Sequence, residues 1–175
     1  MKLADALSLI RDIPDYPKPG ILFKDITPLL ASAEAFATVI SSFAEQVEEP
    51  EIIAGIEARG FIFAAALALE TNSGFVPFRK SGKLPFETIG AKYGLEYGND
   101  EIEVHIDAFT GGKRVVIIDD VLATGGTICA AIDLAERSGA VIESVLVLFE
   151  ISGLGGREVI AKKYPHVKVK TLVAS

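Results

Sequence analysis

The chain has 175 residues, of which 50% are hydrophobic, and a formal net charge of −7. This length allows one domain with a substantial core, and the composition excludes a disordered protein. The acidic balance argues against nucleic acid as the main partner, and no apolar run reaches the length that spans a membrane. The single cysteine, Cys129, excludes an internal disulfide, fits a reducing cytoplasm and is interpreted as a small core residue. The early Asp5 and the lack of a long apolar stretch beside it argue against a signal peptide.

The first fifty residues predict two helices separated by a loop. Residues 3–11 space their apolar side chains as an amphipathic helix does. Residues 13–20 contain three prolines and end in a glycine, which predicts a stiff extended loop. A short apolar piece, Ile21–Phe23, comes next. The second helix is predicted over residues 33–47 and must end before Pro50.

A strand–loop–helix unit follows. The segment Glu51–Gly55 is typical of a buried strand, residues 61–70 predict an alanine-rich helix, and the loop between them carries Arg59. Open α/β sheets place ligands at the carboxyl edge of their strands. A guanidinium pairs bidentately with phosphate oxygens, so Arg59 is a candidate phosphate ligand. The alternative is a surface arginine paired with Glu57.

Three cations follow the next predicted strand, Gly74–Phe78. Arg79, Lys80 and Lys83 occur close together in a segment that also contains a glycine. A charge run of this kind is usually a solvated face. Beside a phosphate site it is better interpreted as an anion-binding loop, which would supply the local positive charge that an acidic protein needs for an anionic substrate.

Polar and apolar residues partly alternate over residues 86–93 and again over 100–106, as in an antiparallel ribbon. We expect residues 94–100 to form a mobile tip, which could act as a lid that excludes water from a bound ligand. His105 in the ribbon and His166 near the C-terminus are interpreted as surface strand residues rather than catalysts.

The most informative stretch joins a strand to a helix. Val115–Ile118 is a run of four β-branched residues, typical of a central strand of a parallel sheet that is buried on both faces. Asp119 and Asp120 follow at its predicted end. The small loop Ala123–Thr127 then leads into a predicted helix over residues 128–138.

This loop has the composition of a phosphate site. A helix start presents free N–H groups at the positive end of the helix dipole. Gly125 and Gly126 permit close approach of an anion, while Thr124 and Thr127 add hydroxyl donors. The two preceding aspartates would repel a phosphate, but they fit if they accept hydrogen bonds from sugar hydroxyls or help to hold a metal ion.

A phosphate cradle beside a diol-binding pair of acids describes a ribose 5-phosphate site. The stretch is not a P-loop, because no lysine follows the glycines, and the glycine spacing does not fit the dinucleotide fingerprint. A strand, a loop, a helix and a last strand complete the chain over residues 141–149, 150–157, 157–163 and 167–173. The predicted fold class is α/β, with a central, mostly parallel sheet flanked by helices and an antiparallel flap.

Residues 115–127 resemble the phosphoribosyl-diphosphate signature of the type I phosphoribosyltransferases. The Ala-Thr-Gly-Gly-Thr loop is similar to that of the members that act on adenine. The resemblance covers roughly residues 10–165, and its other specific segments occur in the order the family shows, at residues 20–26, 57–61, 79–85 and 95–98. It implies a single phosphoribosyltransferase domain over residues 1–175, with a small N-terminal hood at 1–30 and a mobile catalytic loop at about 80–105.

The resemblance implies transfer of the 5-phosphoribosyl group from phosphoribosyl diphosphate to adenine, giving AMP and pyrophosphate in purine salvage. It also implies Mg²⁺ as a cofactor held mainly by the substrate diphosphate, and a cytoplasmic homodimer with neither nucleic acid nor membrane as a partner. Glu96 and Tyr97 match the catalytic loop, where the glutamate handles the proton on the base, and Arg59 is a third catalytic candidate. The ribose 5-phosphate would be bound by Asp119, Asp120, Ala123, Thr124, Gly125, Gly126 and Thr127. The pyrophosphate would be bound by Arg59, Arg79, Lys80 and Lys83, and adenine by Leu22, Phe23, Lys24 and Leu154.

Two positions bear on the choice of base. Relatives that act on hypoxanthine and guanine carry an acid where this chain has Ala123, so its absence favours adenine. Lys24 stands where many members have arginine, a change that is neutral if backbone atoms make the contact, as we favour. The alternatives are transfer to another base (xanthine, hypoxanthine, guanine or orotate) and a non-catalytic nucleotide sensor. The presence of Glu96-Tyr97 and Arg79-Lys80 favours an enzyme.

Overall fold

The computed structural model describes residues 1–94 and 100–174. The chain divides into two compact units, Met1–Glu45 and Gln46–Ser175. Within the described residues, no helix is both long enough and apolar enough to cross a membrane.

The smaller unit combines three helices with a two-stranded antiparallel sheet. Its elements in chain order are α1 (Leu3–Leu7), β1 (Arg11–Pro14), β2 (Leu22–Asp25), α2 (Thr27–Ala31) and α3 (Ala33–Ala44). The helix predicted over residues 3–11 is therefore wrong beyond Leu7, because β1 pairs with β2 and places Ile13 opposite Phe23. The extended loop predicted from residue 13 begins inside β1 for the same reason.

Helix α3 has a defined start and one buried face. The Ser32 hydroxyl oxygen accepts the N–H of Ala35 at 3.3 Å, as expected of an N-cap. Val39 and Phe43, four residues apart, are both fully buried. The helix ends at Ala44, slightly before the predicted end, and its apolar face forms the core of this unit together with α1 and α2.

The larger unit is an α/β sheet structure, which confirms the predicted fold class. Its strands are β3 (Ile52–Ile56), β4 (Gly74–Lys80), β5 (Thr88–Tyr93), β6 (Asp100–His105), β7 (Arg114–Leu122), β8 (Val141–Glu150) and β9 (Lys168–Ala174). Its helices are α4 (Gly60–Glu70), α5 (Gly126–Arg137) and α6 (Gly156–Lys163). The described strands of this unit form one sheet in the order β5-β6-β4-β3-β7-β8-β9.

The sheet is mostly parallel, with an antiparallel ribbon at one edge. Strands β4, β3, β7, β8 and β9 are parallel neighbours. Strands β5 and β6 form the predicted antiparallel ribbon, which joins the main sheet through an antiparallel pairing of β6 with the end of β4.

Strand β7 is a central strand of the sheet with a neighbour on each side, as predicted. It lies between β3 and β8, and Val115–Ile118 are fully buried. Pairing on both sides and helices over both faces account for the unbroken apolar run. The strand continues to Leu122, so Asp119 and Asp120 lie within its last residues rather than beyond its end.

Parallel strands bring the functional candidates of this unit to one edge. Arg59 follows β3, Arg79 and Lys80 end β4, Asp119 and Asp120 lie near the end of β7, and Leu154 follows β8. Such a carboxyl edge is where open α/β sheets bind ligands.

Candidate active site

The loop between β7 and α5 encloses a small pocket. Gly125 is the N-cap of α5 and has φ +83°, a left-handed conformation that glycine adopts without strain. The first N–H groups of α5 have no hydrogen-bond partners within the helix. They lie at the positive end of the helix dipole, beside the pocket. The pocket has a volume of about 120 Å³ and is lined by Asp119, Val121, Leu122, Ala123, Thr124, Gly125, Gly126, Thr127 and Ile128.

The loop is held against the start of α6 by glycines on both sides. A Cβ atom on Gly125 would lie 2.8 Å from the Gly156 carbonyl oxygen. A Cβ atom on Gly156 would collide with the Ala123 carbonyl oxygen. The phosphate-site loop therefore depends on a backbone contact with a segment about thirty residues later in the chain. The composition of the loop did not predict this contact.

The two adjacent acids have different surroundings. Asp119 lines the pocket, and its Oδ1 accepts the N–H of Asp120 at 2.8 Å. Burial, reinforced by the negative charge of Asp120, raises the pKa of Asp119 well above its usual value. Asp119 is thus placed to accept hydrogen bonds from a ligand in the pocket, and a positively charged ligand would favour its ionised form.

Asp120 is buried and faces a cation. Its Oδ2 lies 2.9 Å from the Nε of Arg59. Burial raises the pKa of Asp120, while the charge of Arg59 opposes that rise. The structure therefore pairs Asp120 with Arg59 and does not include it in the pocket lining, whereas the sequence suggested a ribose contact for both acids.

Arg59 lies at the N-terminus of α4, which packs closely on β7. A Cβ atom on Gly60 would lie 2.8 Å from the Ile118 carbonyl oxygen and 3.0 Å from Asp119 Oδ1. This close approach brings the guanidinium of Arg59 to the acids of β7. Glu57, the partner considered for Arg59 from the sequence, binds Arg79 instead, with 3.2 Å between Oε2 and Nε.

Glu57 fixes the start of residues 79–84, which comprise the end of β4 and the turn after it and which we call the basic loop. Its Oε2 also accepts the Lys80 N–H at 2.8 Å, and Arg79 Nη1 donates to the Lys83 carbonyl oxygen at 3.2 Å. Burial alone would raise the pKa of Glu57, but the hydrogen bonds from Lys80 and Arg79 hold it below its usual value. The sequence predicted Arg79 and Lys80 after the strand, but both are the last residues of β4. The side chains of Lys80 and Lys83 are exposed.

Glu103 holds the other end of the basic loop and was missed by the sequence analysis. It is 7% exposed, and its Oε1 accepts the N–H groups of Gly82, Lys83 and Leu84. In the sequence Glu103 is one acid in an alternating strand pattern. Only the pairing of β6 with β4 brings it to this loop.

The adenine candidates of the smaller unit lie on its two-stranded sheet. Phe23 contacts Tyr16 edge-on at 5.2 Å between ring centroids and lines an apolar pocket of about 230 Å³ within this unit. Leu22 is 49% exposed. Lys24 Nζ forms an ion pair with Asp12 at 2.7 Å, which agrees with the view that its side chain need not contact a ligand.

Other candidates occupy varied positions. In the larger unit, Leu154 is 47% exposed in the loop before α6. Glu96 and Tyr97 lie outside the described residues. Cys129 is buried on α5, as predicted. His166 is exposed and contacts Glu136 at 2.6 Å, which confirms it as a surface residue.

His105 differs slightly from expectation. It ends β6, is only half-buried, and packs edge-on against Phe86 with 6.0 Å between ring centroids. Its Nε2 is enclosed and has no hydrogen-bond partner among the described residues. It lies on the ribbon, so its interpretation as a strand residue stands.

Comparison with known proteins gives a consistent result. The family model described as phosphoribosyl transferase domain matches residues 24–173. The chain is 54% identical to the adenine phosphoribosyltransferase of Thermobifida fusca over 154 residues, covering 87% of this chain and 88% of the relative. It is 50% identical to that of Carboxydothermus hydrogenoformans over 171 residues, covering 97% and 98%.

Solved structures agree with the sequence relatives. The crystal structure of adenine phosphoribosyltransferase from Thermoanaerobacter pseudethanolicus superposes with a TM-score of 0.92 at 47% identity, covering 99% of this chain and 100% of the other. The Saccharomyces cerevisiae enzyme, solved with adenine and an imino-altritol bisphosphate, gives 0.90 at 36% identity, covering 98% of both chains. The chain therefore belongs to the adenine phosphoribosyltransferases, within the family that carries the phosphoribosyl transferase domain.

Proposed function

We propose that this protein transfers the 5-phosphoribosyl group of phosphoribosyl diphosphate to adenine and releases AMP and pyrophosphate, a purine-salvage reaction. The observation that carries the proposal is the pocket at the end of β7, where a helix N-terminus, two threonine hydroxyls and one acid meet. Its relatives by sequence and structure bear the name of this activity.

The pocket suits a ribose 5-phosphate. The 5-phosphate would accept hydrogen bonds from the first N–H groups of α5 and from the hydroxyls of Thr124 and Thr127. The Asp119 carboxylate would accept hydrogen bonds from the ribose hydroxyls. Asp120 remains a candidate for the same role, but its contact with Arg59 favours a part in holding that arginine.

The leaving group would face the cations at the same sheet edge. In the reaction, the bond between the anomeric carbon and the diphosphate oxygen breaks, and a ring nitrogen of adenine bonds to that carbon and loses its proton. Arg59, Arg79, Lys80 and Lys83 would bind the departing diphosphate and stabilise its charge. The negative charge of Asp119 would stabilise the positive charge that develops on the ribose during the reaction.

The residues fit a magnesium ion that arrives with its substrate. The described residues contain no group of three or more histidine, cysteine or acidic side chains that could hold a metal. Asp119 nevertheless offers carboxylate oxygens of the type that Mg²⁺ prefers, at the pocket where the ribose would lie. When bound with the diphosphate, Mg²⁺ supplies charge that neutralises the leaving group.

Adenine would be held by apolar side chains, since a flat base gains from contact on both faces. Leu22 and Phe23 are the candidates on the smaller unit, with Lys24 contributing backbone atoms, and Leu154 is the candidate on the larger one. Ala123 leaves no acid beside the phosphate loop, which disfavours a 6-oxopurine. Glu96, assisted by Tyr97, is the candidate for the proton on the base.

The wider assignments are also proposals. We propose one functional domain over residues 1–175, with a hood formed by residues 1–30 and a catalytic loop at about 80–105. Helix α4 is apolar around its whole circumference but leaves Ile62 and Leu69 38% and 85% exposed, which supports a homodimer. The single free cysteine fits the reducing conditions of the cytoplasm.

Pyrophosphate release from phosphoribosyl diphosphate, measured with Mg²⁺ and adenine, tests the proposed activity. We expect steady turnover that depends on both substrates and is abolished by chelation of Mg²⁺. Measurable binding of phosphoribosyl diphosphate without any turnover would overturn the proposal that the protein is an enzyme. It would favour a nucleotide sensor instead.

A further inference from the structure

The basic loop is fixed by a buried acid, Glu103, which forms no ion pair among the described residues and is not one of the proposed substrate ligands. Glu103 lies in the middle of β6 and is 7% exposed. It is opposite Arg79 in the strand register, yet its carboxylate oxygens bind N–H and O–H groups rather than the guanidinium. A buried carboxylate is costly unless its hydrogen bonds are satisfied, so this arrangement requires a reason.

The hydrogen bonds of Glu103 converge from three consecutive residues. Its Oε1 accepts the N–H of Gly82 at 3.0 Å, of Lys83 at 3.2 Å and of Leu84 at 3.3 Å. Its Oε2 accepts the Thr88 hydroxyl at 3.3 Å. Gly82 has φ +79°, which allows successive N–H groups to point to the same side, as in the backbone nests that bind anions.

This nest is occupied by the protein's own carboxylate. Because Glu103 is buried on the sheet, the three N–H groups face inward, and an external anion would have to displace a charged side chain whose second oxygen is held by the Thr88 hydroxyl. The exposed side of the same loop carries Lys80 and Lys83. The nest therefore fixes the backbone, while the lysine ammonium groups stay available to a ligand.

A second acid fixes the same loop from its other end. Glu57 binds Arg79 and the N–H of Lys80, and Arg79 in turn binds the carbonyl oxygen of Lys83. Glu57 follows β3 and Glu103 belongs to β6, so two strands of the sheet hold the loop. Long, exposed lysines lose binding energy when their backbone is free to move, because ordering it costs conformational entropy.

We propose that Glu103 is a positioning residue for the diphosphate group: by binding the N–H groups of Gly82, Lys83 and Leu84, it holds Lys80 and Lys83 where they meet the leaving group. This inference rests on the proposed function and adds a residue to it that does not itself contact the substrate. A carboxylate suits the task better than an amide, because it only accepts hydrogen bonds and offers about four lone-pair sites for these donors.

Two substitutions test the proposal. Glu103→Ala removes every acceptor, whereas Glu103→Gln keeps one carbonyl oxygen for the nest. Glu45→Ala, at an exposed acid outside the proposed sites, is the control. The measurements are amide hydrogen exchange at residues 82–84, the dissociation constant of pyrophosphate with Mg²⁺, and KM for each substrate.

For Glu103→Ala we expect faster exchange at these three amides, together with roughly 10- to 100-fold weaker binding of pyrophosphate and a KM for phosphoribosyl diphosphate raised to match. KM for adenine should stay within about twofold, since no hydrogen bond of Glu103 reaches a candidate adenine-binding residue. Glu103→Gln should recover part of the loss, and Glu45→Ala should behave as the wild type. A loss caused by general unfolding would instead raise exchange throughout the sheet.

Two results would overturn the inference. Unchanged exchange at residues 82–84 in Glu103→Ala would show that the nest does not depend on this side chain. Faster exchange with unchanged or tighter pyrophosphate binding would show that Glu103 does not serve the cations. If the wild type itself neither binds pyrophosphate nor turns over, the proposed function fails as well, and the exchange data still report separately on the nest.

Discussion

The Nε of Arg59 lies 2.9 Å from the Oδ2 of Asp120, whose side chain is only 3% exposed. Asp120 Oδ2 has no hydrogen-bond partner among the described residues, so this contact is an ion pair rather than an aligned hydrogen bond. Asp119, one residue earlier, lines the pocket instead. The two adjacent acids therefore have different neighbours, since one carboxylate lines the pocket and the other pairs with an arginine.

The two acids should fail differently when each is replaced by asparagine. Asp119→Asn should reduce kcat/KM for phosphoribosyl diphosphate about 10- to 100-fold, the value of one or two charged hydrogen bonds. Asp120→Asn should chiefly weaken pyrophosphate binding, because Arg59 loses its ion pair with the Asp120 carboxylate. Steady-state kinetics and calorimetry with pyrophosphate check both effects, and identical profiles for the two variants would contradict the division of roles.

Asp119→Asn should also make the free protein more stable at neutral pH. The folded-state pKa of Asp119 is raised by burial and by Asp120, so the wild type binds this proton more readily folded than unfolded. Its stability therefore falls as pH rises from the usual aspartate range through the raised pKa, and asparagine escapes that loss. The amide oxygen can still accept the Asp120 N–H.

Thermal melting of both proteins across pH checks this sign. The variant should melt higher at pH 7–8, by about 2–4 °C for each kcal/mol gained, and the gap should close as pH falls toward the usual aspartate pKa. A gap that widens at acid pH, or a variant that melts lower at neutral pH, would refute the assignment.

Gly156→Ala should damage the phosphate loop although it lies outside it. The new methyl group would meet the Ala123 carbonyl oxygen and push the loop away. We expect about 1–3 kcal/mol of destabilisation and a raised KM for phosphoribosyl diphosphate, with KM for adenine less affected. Gly74→Ala is the control, since its Cβ would make only an ordinary 3.5 Å contact. Equal behaviour of the two variants would rule out the proposed backbone contact.

Leu22 and Phe23 should separate base contact from structural support. They are neighbours on β2, so their side chains lie on opposite faces of the two-stranded sheet. Leu22 is half exposed and has apolar surface to give to a base, whereas Phe23 packs on Tyr16. Leu22→Ala should raise KM for adenine about tenfold with little change in melting temperature.

Phe23→Ala should chiefly lower the melting temperature, because it opens the apolar cluster of the smaller unit. Substrate kinetics and thermal melting of both variants check the pair. If Phe23→Ala raises KM for adenine while Leu22→Ala leaves it unchanged, the base contacts the face of the two-stranded sheet that carries Phe23.

Local patterns were sufficient for the centre of the fold. The run Val115–Ile118 predicted a central strand, and the glycines and threonines after it predicted the phosphate loop, because each residue type has a direct local consequence there. The helix expected over residues 3–11 failed beyond Leu7, since pairing of β1 with β2 outweighed a helical spacing that continues through Ile10. Pairing of distant segments leaves no periodic signal in the sequence.

The same limit applies to the site. Arg59 and Lys83 were predicted by residue type and position, but the acids that hold the Arg59 guanidinium and the Lys83 backbone, Asp120 and Glu103, were not identified in that role. Their function depends on which strands become neighbours. A buried acid in an alternating strand pattern cannot be told from a solvated one until the register is known.

A single competition experiment tests the central claim most directly. Phosphoribosyl diphosphate, Mg²⁺ and an equimolar mixture of adenine, hypoxanthine, guanine, xanthine and orotate are incubated with the protein, and the nucleotide products are separated by chromatography. The account predicts AMP as the product, with the other nucleotides absent or minor, because Ala123 provides no acid for a 6-oxopurine. A different nucleotide as the main product would contradict the assignment of the base, while leaving the phosphoribosyl site in place.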